Sequence, residues 1–205
     1  MYVPAHFALT ESELAAALAR GGFAHLVTPT AEGLVSTPLP LLYDAERRSL
    51  VGHVARNNPH WQAVSTGESL AIFAGPDAYV SPGYYPSKAE HGRVVPTWNY
   101  EVLHVHGPLA AHDDVDWLRA LVTRLTETHE AGRTPPWQVG DAPERFVAGQ
   151  LRAIVGVELR ISRAEGKAKY GQNRSDADRA GVVAGWRASG LASEAEAAAA
   201  MTSRG

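Results

Sequence analysis

The sequence predicts an α+β protein, mainly β, built on a six-stranded antiparallel barrel with helices at its periphery and a helical C-terminal extension. Three observations predict it. Six strand-like runs of uneven length are joined mostly by short turns. Strands and helices do not alternate regularly, which argues against a doubly wound parallel sheet. No glycine fingerprint of the GxGxxG or P-loop type follows a strand.

The elements follow from local chemistry. Thr10-Glu11-Ser12-Glu13 has the form of a capping box and opens a helix over 11–20, which Gly21 closes. Strands are expected over 23–28, 34–43 and 49–55. Pro38 and Pro40 remove ladder donors, so the second strand is expected at an edge or bulge. Asn58 and Pro59 start a short helix to about Thr66, as N-cap and first helical residue. Strands follow over 69–74, continuing towards 81, and from about Asn99. Trp117, Leu118, Leu121, Val122 and Leu125 keep helical spacing within 114–131. Asp141-Ala142-Pro143-Glu144 starts another short helix, and 153–161 is the last strand, with Val155, Val157, Leu159 and Ile161 on one face. Ser175 and Asp178 cap a helix through Ala188, and the Ala-rich tail from Ser193 is expected to form a marginal or frayed helix.

Composition narrows the function. A chain of 205 residues suits one domain, or one domain with an appendage. The net charge of -3 supplies no global basic field for nucleic acid. With no cysteine, thiolate catalysis, disulfides and Cys-ligated metals are excluded. No signal-peptide pattern and no membrane-length apolar run is seen, so a cytoplasmic protein is expected.

Chemistry concentrates between Tyr79 and Gly107, a stretch dense in Tyr, Pro, Gly, Lys, Arg, His and Trp. Rings and cations in one long connection suit a flat aromatic ligand carrying negative charge. Arg56-Asn57-Asn58 reads either as a plain N-cap beside a solvated Arg or as an anion-binding corner. Lys88, His91 and Arg93 read as solvated loop residues, or as contacts to an acidic co-substrate. His104 and His106 share a strand face, yet no third ligand is placed to complete a metal site. Lys167, Lys169 and Arg174 form the one basic cluster, which reads as facing a ligand, as touching DNA phosphates, or as solvated; Gln172 and Asn173 between the charges favour the ligand.

Three stretches carry a resemblance. They are Gly52-His53-Val54-Ala55-Arg56-Asn57-Asn58-Pro59-His60-Trp61; then Val95-Pro96-Thr97-Trp98-Asn99-Tyr100 with His104-Val105-His106-Gly107; then Lys169 with Gln172-Asn173-Arg174 and Asp178-Arg179. With them the chain resembles the PaiB-like family of FMN-binding negative transcriptional regulators, from Met1 to about Trp186. Where the family's third motif usually has Ser, this chain has Gly171.

The resemblance implies an FMN-binding split barrel over 1–165, related to pyridoxamine-phosphate oxidase folds, then a basic segment and helix over 166–190 and a tail over 191–205. It implies FMN as cofactor and a homodimer with flavin at the subunit interface. By it, Arg56, Asn57 and Asn58 hold the phosphate, with His53 nearby and Ser36 and Thr37 on the neighbouring strand. Trp98, Asn99 and Tyr100 contact the ring, and Lys169, Gln172, Asn173 and Arg174 face the ligand. Repression is the implied role, with a small-molecule effector or substrate. A flavin-dependent oxidoreductase and a haem-binding or haem-degrading protein using His104 or His106 are the alternatives. No basic recognition helix is evident, which counts against direct DNA reading.

Overall fold

The computed structural model describes residues 1–63 and 65–204. The fold is mixed α+β around an antiparallel sheet, but the sheet has eight strands rather than six, ordered β6-β7-β3-β2-β1-β4-β5-β8. They are β1 (Gly22–Thr30), β2 (Gly33–Asp44), β3 (Ser49–Ala55), β4 (Ser69–Val80), β5 (Thr97–Gly107), β6 (Leu109–His112), β7 (Ile154–Arg160) and β8 (Arg163–Lys169). The helices are α1 (Glu11–Arg20), α2 (Ser87–His91), α3 (Val115–Glu130), α4 (Glu144–Arg152), α5 (Asp176–Ser189) and α6 (Ala192–Thr202).

The two extra strands have separate causes. Pro108 cannot donate to a ladder and divides β5 from β6. The sequence of β8, Arg-Ala-Glu-Gly-Lys-Ala-Lys, lacks the apolar alternation by which a strand is read. β2, expected at an edge or bulge, lies between β1 and β3 in the strand order. Its prolines are tolerated because its registered pairing with β3 covers Leu42–Asp44, beyond Pro38 and Pro40. The helix expected from Pro59 to Thr66 is a 3-10 turn, Pro59–Gln62, and its Val64 lies outside the described residues. The cap itself is as read, with Asn58 Oδ1 accepting from the His60 N–H at 2.9 Å.

The chain divides into two compact units. One comprises 15–73 and 104–164. Its β1–β2 hairpin turns at Ala31-Glu32, with Thr30 opposite Gly33. β3 and β7 pair along their whole length. α3 buries Leu121 and Leu125 on Leu42 and Val51, while Leu118 packs with Val147 and Leu151 of α4. Gly156 of β7 leaves room for the Trp117 ring, since a Cβ there would lie 2.0 Å from Cζ3.

The other unit comprises 1–14, 74–103 and 165–205. Its core is Val80, Tyr85, Tyr170, Val182 and Trp186, closed by Ala197, Ala198 and Met201. The Trp186 indole N–H donates to the Tyr79 carbonyl at 2.8 Å, and the Tyr170 hydroxyl to the Pro76 carbonyl at 2.7 Å. Gly181 and Gly185, one turn apart on α5, admit Tyr84: a Cβ at Gly185 would meet its ring at 2.3 Å.

The Ala-rich tail forms α6 up to Thr202; Gly205 lies outside the described residues. Its small alanines let the helix approach the core closely. Arg204 then pairs with Glu13 and with Glu101, the latter at 2.8 Å.

Candidate functional site

In the first unit, the corner after β3 is built around Arg56. Its guanidinium forms a two-pronged pair with Asp113 and also donates to the Arg152 and Ile154 carbonyls. The pair raises the arginine pKa and lowers that of Asp113. Four of its five N–H donors are engaged within the protein, two of them by Asp113, and one on Nη1 remains. Asn57 is exposed.

Asn58 is tied inward. Its amide donates to Thr37 Oγ1 at 3.1 Å, and Thr37 bonds His60 Nδ1 at 2.8 Å. His60 Nε2 bonds Thr28 Oγ1 at 2.8 Å, and Thr28 bonds Ser69 Oγ at 2.7 Å. The chain Asn58–Thr37–His60–Thr28–Ser69 is therefore continuous, with His60 only 1% exposed. Burial lowers the imidazole pKa and holds the ring neutral. Ser36 alternates with Thr37 and is exposed, so the two hydroxyls go to opposite faces.

His53 goes elsewhere. It lines a cavity beneath α3 and α4, and burial lowers its pKa. His104 and His106 lie with ring centroids 6.3 Å apart, and burial lowers the pKa of each. Among the described residues no cluster of three His, Cys, Asp or Glu could hold a metal ion.

In the second unit, β5 and β8 bring cations to aromatic rings. Lys169 donates its ammonium to Thr97 Oγ1 and to the Trp98 carbonyl, the latter at 2.6 Å. An ammonium has three donors, so one remains. Burial lowers the Lys169 pKa first; Tyr100 opposes that, and the charges of Lys167 and Arg174 add to it. Lys167 Nζ stands 5.2 Å from the Tyr100 ring centroid and 6.0 Å from that of Tyr2. Trp98 is 55% exposed, and Tyr79 meets it edge-on at 6.1 Å.

Of the other residues expected there, Asn99 is buried and Asn173 is exposed. The Gln172 amide is spent on the backbone of Tyr170 and Ala168. Arg174 lies over the Tyr85 ring at 5.1 Å. The structure thus brings Trp98, Tyr100 and Lys169 together with Lys167. Sequence reasoning assigned no role to Thr28, His60, Ser69 or Thr97. Hydroxyls on strands are common, and only their pairing in space marks these.

The residues fit a flavin in part. The β5–β8 shelf offers an exposed ring face and a spare ammonium donor, as a flat anionic group requires. At the corner after β3 the guanidinium is paired with Asp113 and keeps one N–H for a further acceptor.

Fold and shelf together define a split-barrel protein, and solved structures share the fold. The flavocytochrome Anf3 from Azotobacter vinelandii superposes with a TM-score of 0.61 at 13% identity, over 87% of this chain and 78% of that one. The family model described as "Putative FMN-binding domain" matches residues 1–163, and the chain belongs to that PaiB-like family. Among relatives, "Protease synthase and sporulation protein PAI 2" of Bacillus subtilis is 29% identical over 187 residues, covering 89% of this chain and 87% of its own. An uncharacterised protein of Emericella nidulans, AN0679, is 31% identical over 186 residues, covering 74% of each chain.

Proposed function

We propose that the chain binds FMN as a homodimer and serves as a flavin-responsive negative regulator. The observation that carries the flavin reading is Lys169. Its ammonium is partly stripped of water, lies among the charges of Lys167 and Arg174, and is hydrogen-bonded to the backbone carbonyl of Trp98, a residue that is itself exposed. Such an ammonium gains from an anion, and such an indole gains from a flat ring.

In this reading Trp98 and Tyr100 flank the ring system, Lys169 supplies a charged hydrogen bond, and Lys167 adds positive field. Thr97 and the Trp98 carbonyl fix the direction of the ammonium. FMN, when bound, supplies one- or two-electron chemistry that no side chain here can supply.

Membership of the FMN-binding family supports the cofactor, and the Bacillus relative, named for protease synthesis and sporulation, supports a regulatory rather than a metabolic role. Large apolar side chains left in solvent, Phe23, Leu34, Val95 and Trp98, support a second copy as partner.

The test is titration of the purified protein with FMN, followed by flavin absorbance and fluorescence. Lys169→Met is expected to weaken binding by about tenfold to a hundredfold, the value of one hydrogen bond to a charged group. Trp98→Ala is expected to shift the bound-flavin spectrum. Unaltered affinity in Lys169→Met sinks the shelf. A Soret band in the untreated protein favours haem instead, and a monomer in sedimentation removes the homodimer.

A further inference from the structure

We propose that the cavity walled by β3, α3 and α4 is a second ligand site, which takes a small neutral aromatic molecule bearing one hydrogen-bonding group, of the phenol kind. It goes beyond the flavin reading and uses none of the shelf residues.

The cavity measures about 250 Å³. For scale, an apolar cavity of about 150 Å³ stays dry and accepts benzene. The space here therefore suits one substituted ring and is too small for a tricyclic flavin. Its wall is mostly apolar, with Val122 of α3 and Phe146 of α4 among the lining side chains. Trp137 and Phe146 are 48% and 57% exposed, so two aromatic rings stand half in solvent where a ligand would cover them.

The polar side chains of the wall are His53, Thr126 and Gln150, and no charged side chain lines it among the described residues. A carboxylate or ammonium would enter without a counter-charge, which excludes ionic ligands. His53 supplies the specificity. Its Nδ1 is buried with no hydrogen-bond partner. A buried polar atom without a partner costs stability and calls for a ligand or water to explain it. Burial also favours the neutral ring, in which Nδ1 donates in one tautomer and accepts in the other, and a hydroxyl can answer either.

The experiment uses the full chain, with p-cresol, toluene and 4-methylbenzoate as probes, by calorimetry and ligand-observed NMR. p-Cresol is expected to bind, with nuclear Overhauser contacts to the His53 and Phe146 rings. Toluene should bind about threefold to tenfold more weakly, the worth of one neutral hydrogen bond, and 4-methylbenzoate at least about tenfold more weakly. His53→Leu should remove the preference for p-cresol over toluene. Ala142→Trp, which fills the cavity, should abolish binding of both. Absence of the Overhauser contacts in the unaltered protein overturns the proposal whatever the variants do. So does p-cresol binding that survives Ala142→Trp, or displacement of p-cresol by FMN. Failure of FMN to bind the shelf leaves these readouts unchanged, which separates the two readings.

Discussion

His60 makes the protein sensitive to acid in a calculable way. Its ring is 1% exposed, and both nitrogens are held by hydroxyls, of Thr37 and Thr28, at 2.8 Å each. Burial lowers its pKa in the folded state, while the unfolded chain keeps the ordinary value of about 6.5. Below pH 6.5 the unfolded state therefore binds the extra proton, and stability falls as pH falls. The loss runs at up to about 1.4 kcal/mol per pH unit for this ring and ends at its folded pKa. His53, His104 and His106 shift in the same direction and add to the slope. Replacing His60 by Gln removes one titrating group and its two hydrogen bonds. At pH 8 the variant should lose about 1–3 kcal/mol. That is a drop of about 2–4 °C in Tm per kcal/mol for a chain of this size. The assay is urea unfolding of both proteins at half-unit steps from pH 8 to pH 5. The gap between them should narrow below pH 6.5, because only the natural chain pays for His60 protonation. A gap that stays constant over that range refutes the argument that His60 is buried neutral.

Further outcomes follow from packing. Gly185→Ala drives a methyl into the Tyr84 ring and should cost about 1–3 kcal/mol, read as a lower denaturant midpoint. Arg204→Ala leaves Glu13 and Glu101 without this partner and should cost about 1–3 kcal/mol. Hydrogen exchange should then quicken along α6 before it does along α5. Trp186→Phe frees the Tyr79 carbonyl and opens a void at a fully buried position, so a loss of about 2–4 kcal/mol is expected in chemical unfolding.

What could be read from the residues was what depends on short range. The capping box at Thr10, the Asn58 cap, the Ser175 cap and the apolar spacing of α3 all appear in the structure. They were legible because a cap and its partner lie within three residues. β8 was not, because Lys167 and Lys169 draw their order from Tyr100, Thr97 and Trp98, which lie some 70 residues away. α6 was legible as a helix but not as a packed one, because alanine reads as poor burial until Trp186 stands behind it. Arg56 illustrates the same limit within the site. Its fork suits an anion, and only the fold reveals that Asp113 already fills it.

One of the compact units is assembled from 1–14, 74–103 and 165–205, the start, middle and end of the chain. On a ribosome adding about 5–20 residues per second, roughly 80 residues separate Leu103 from Trp186, or about 4–16 s of waiting. During that interval Val80 and Tyr85 have neither Trp186 nor Met201 to cover them. Newly made chains therefore pass through a period of exposed apolar surface. A premature stop before α5 would leave that surface open for good and mark the product for degradation.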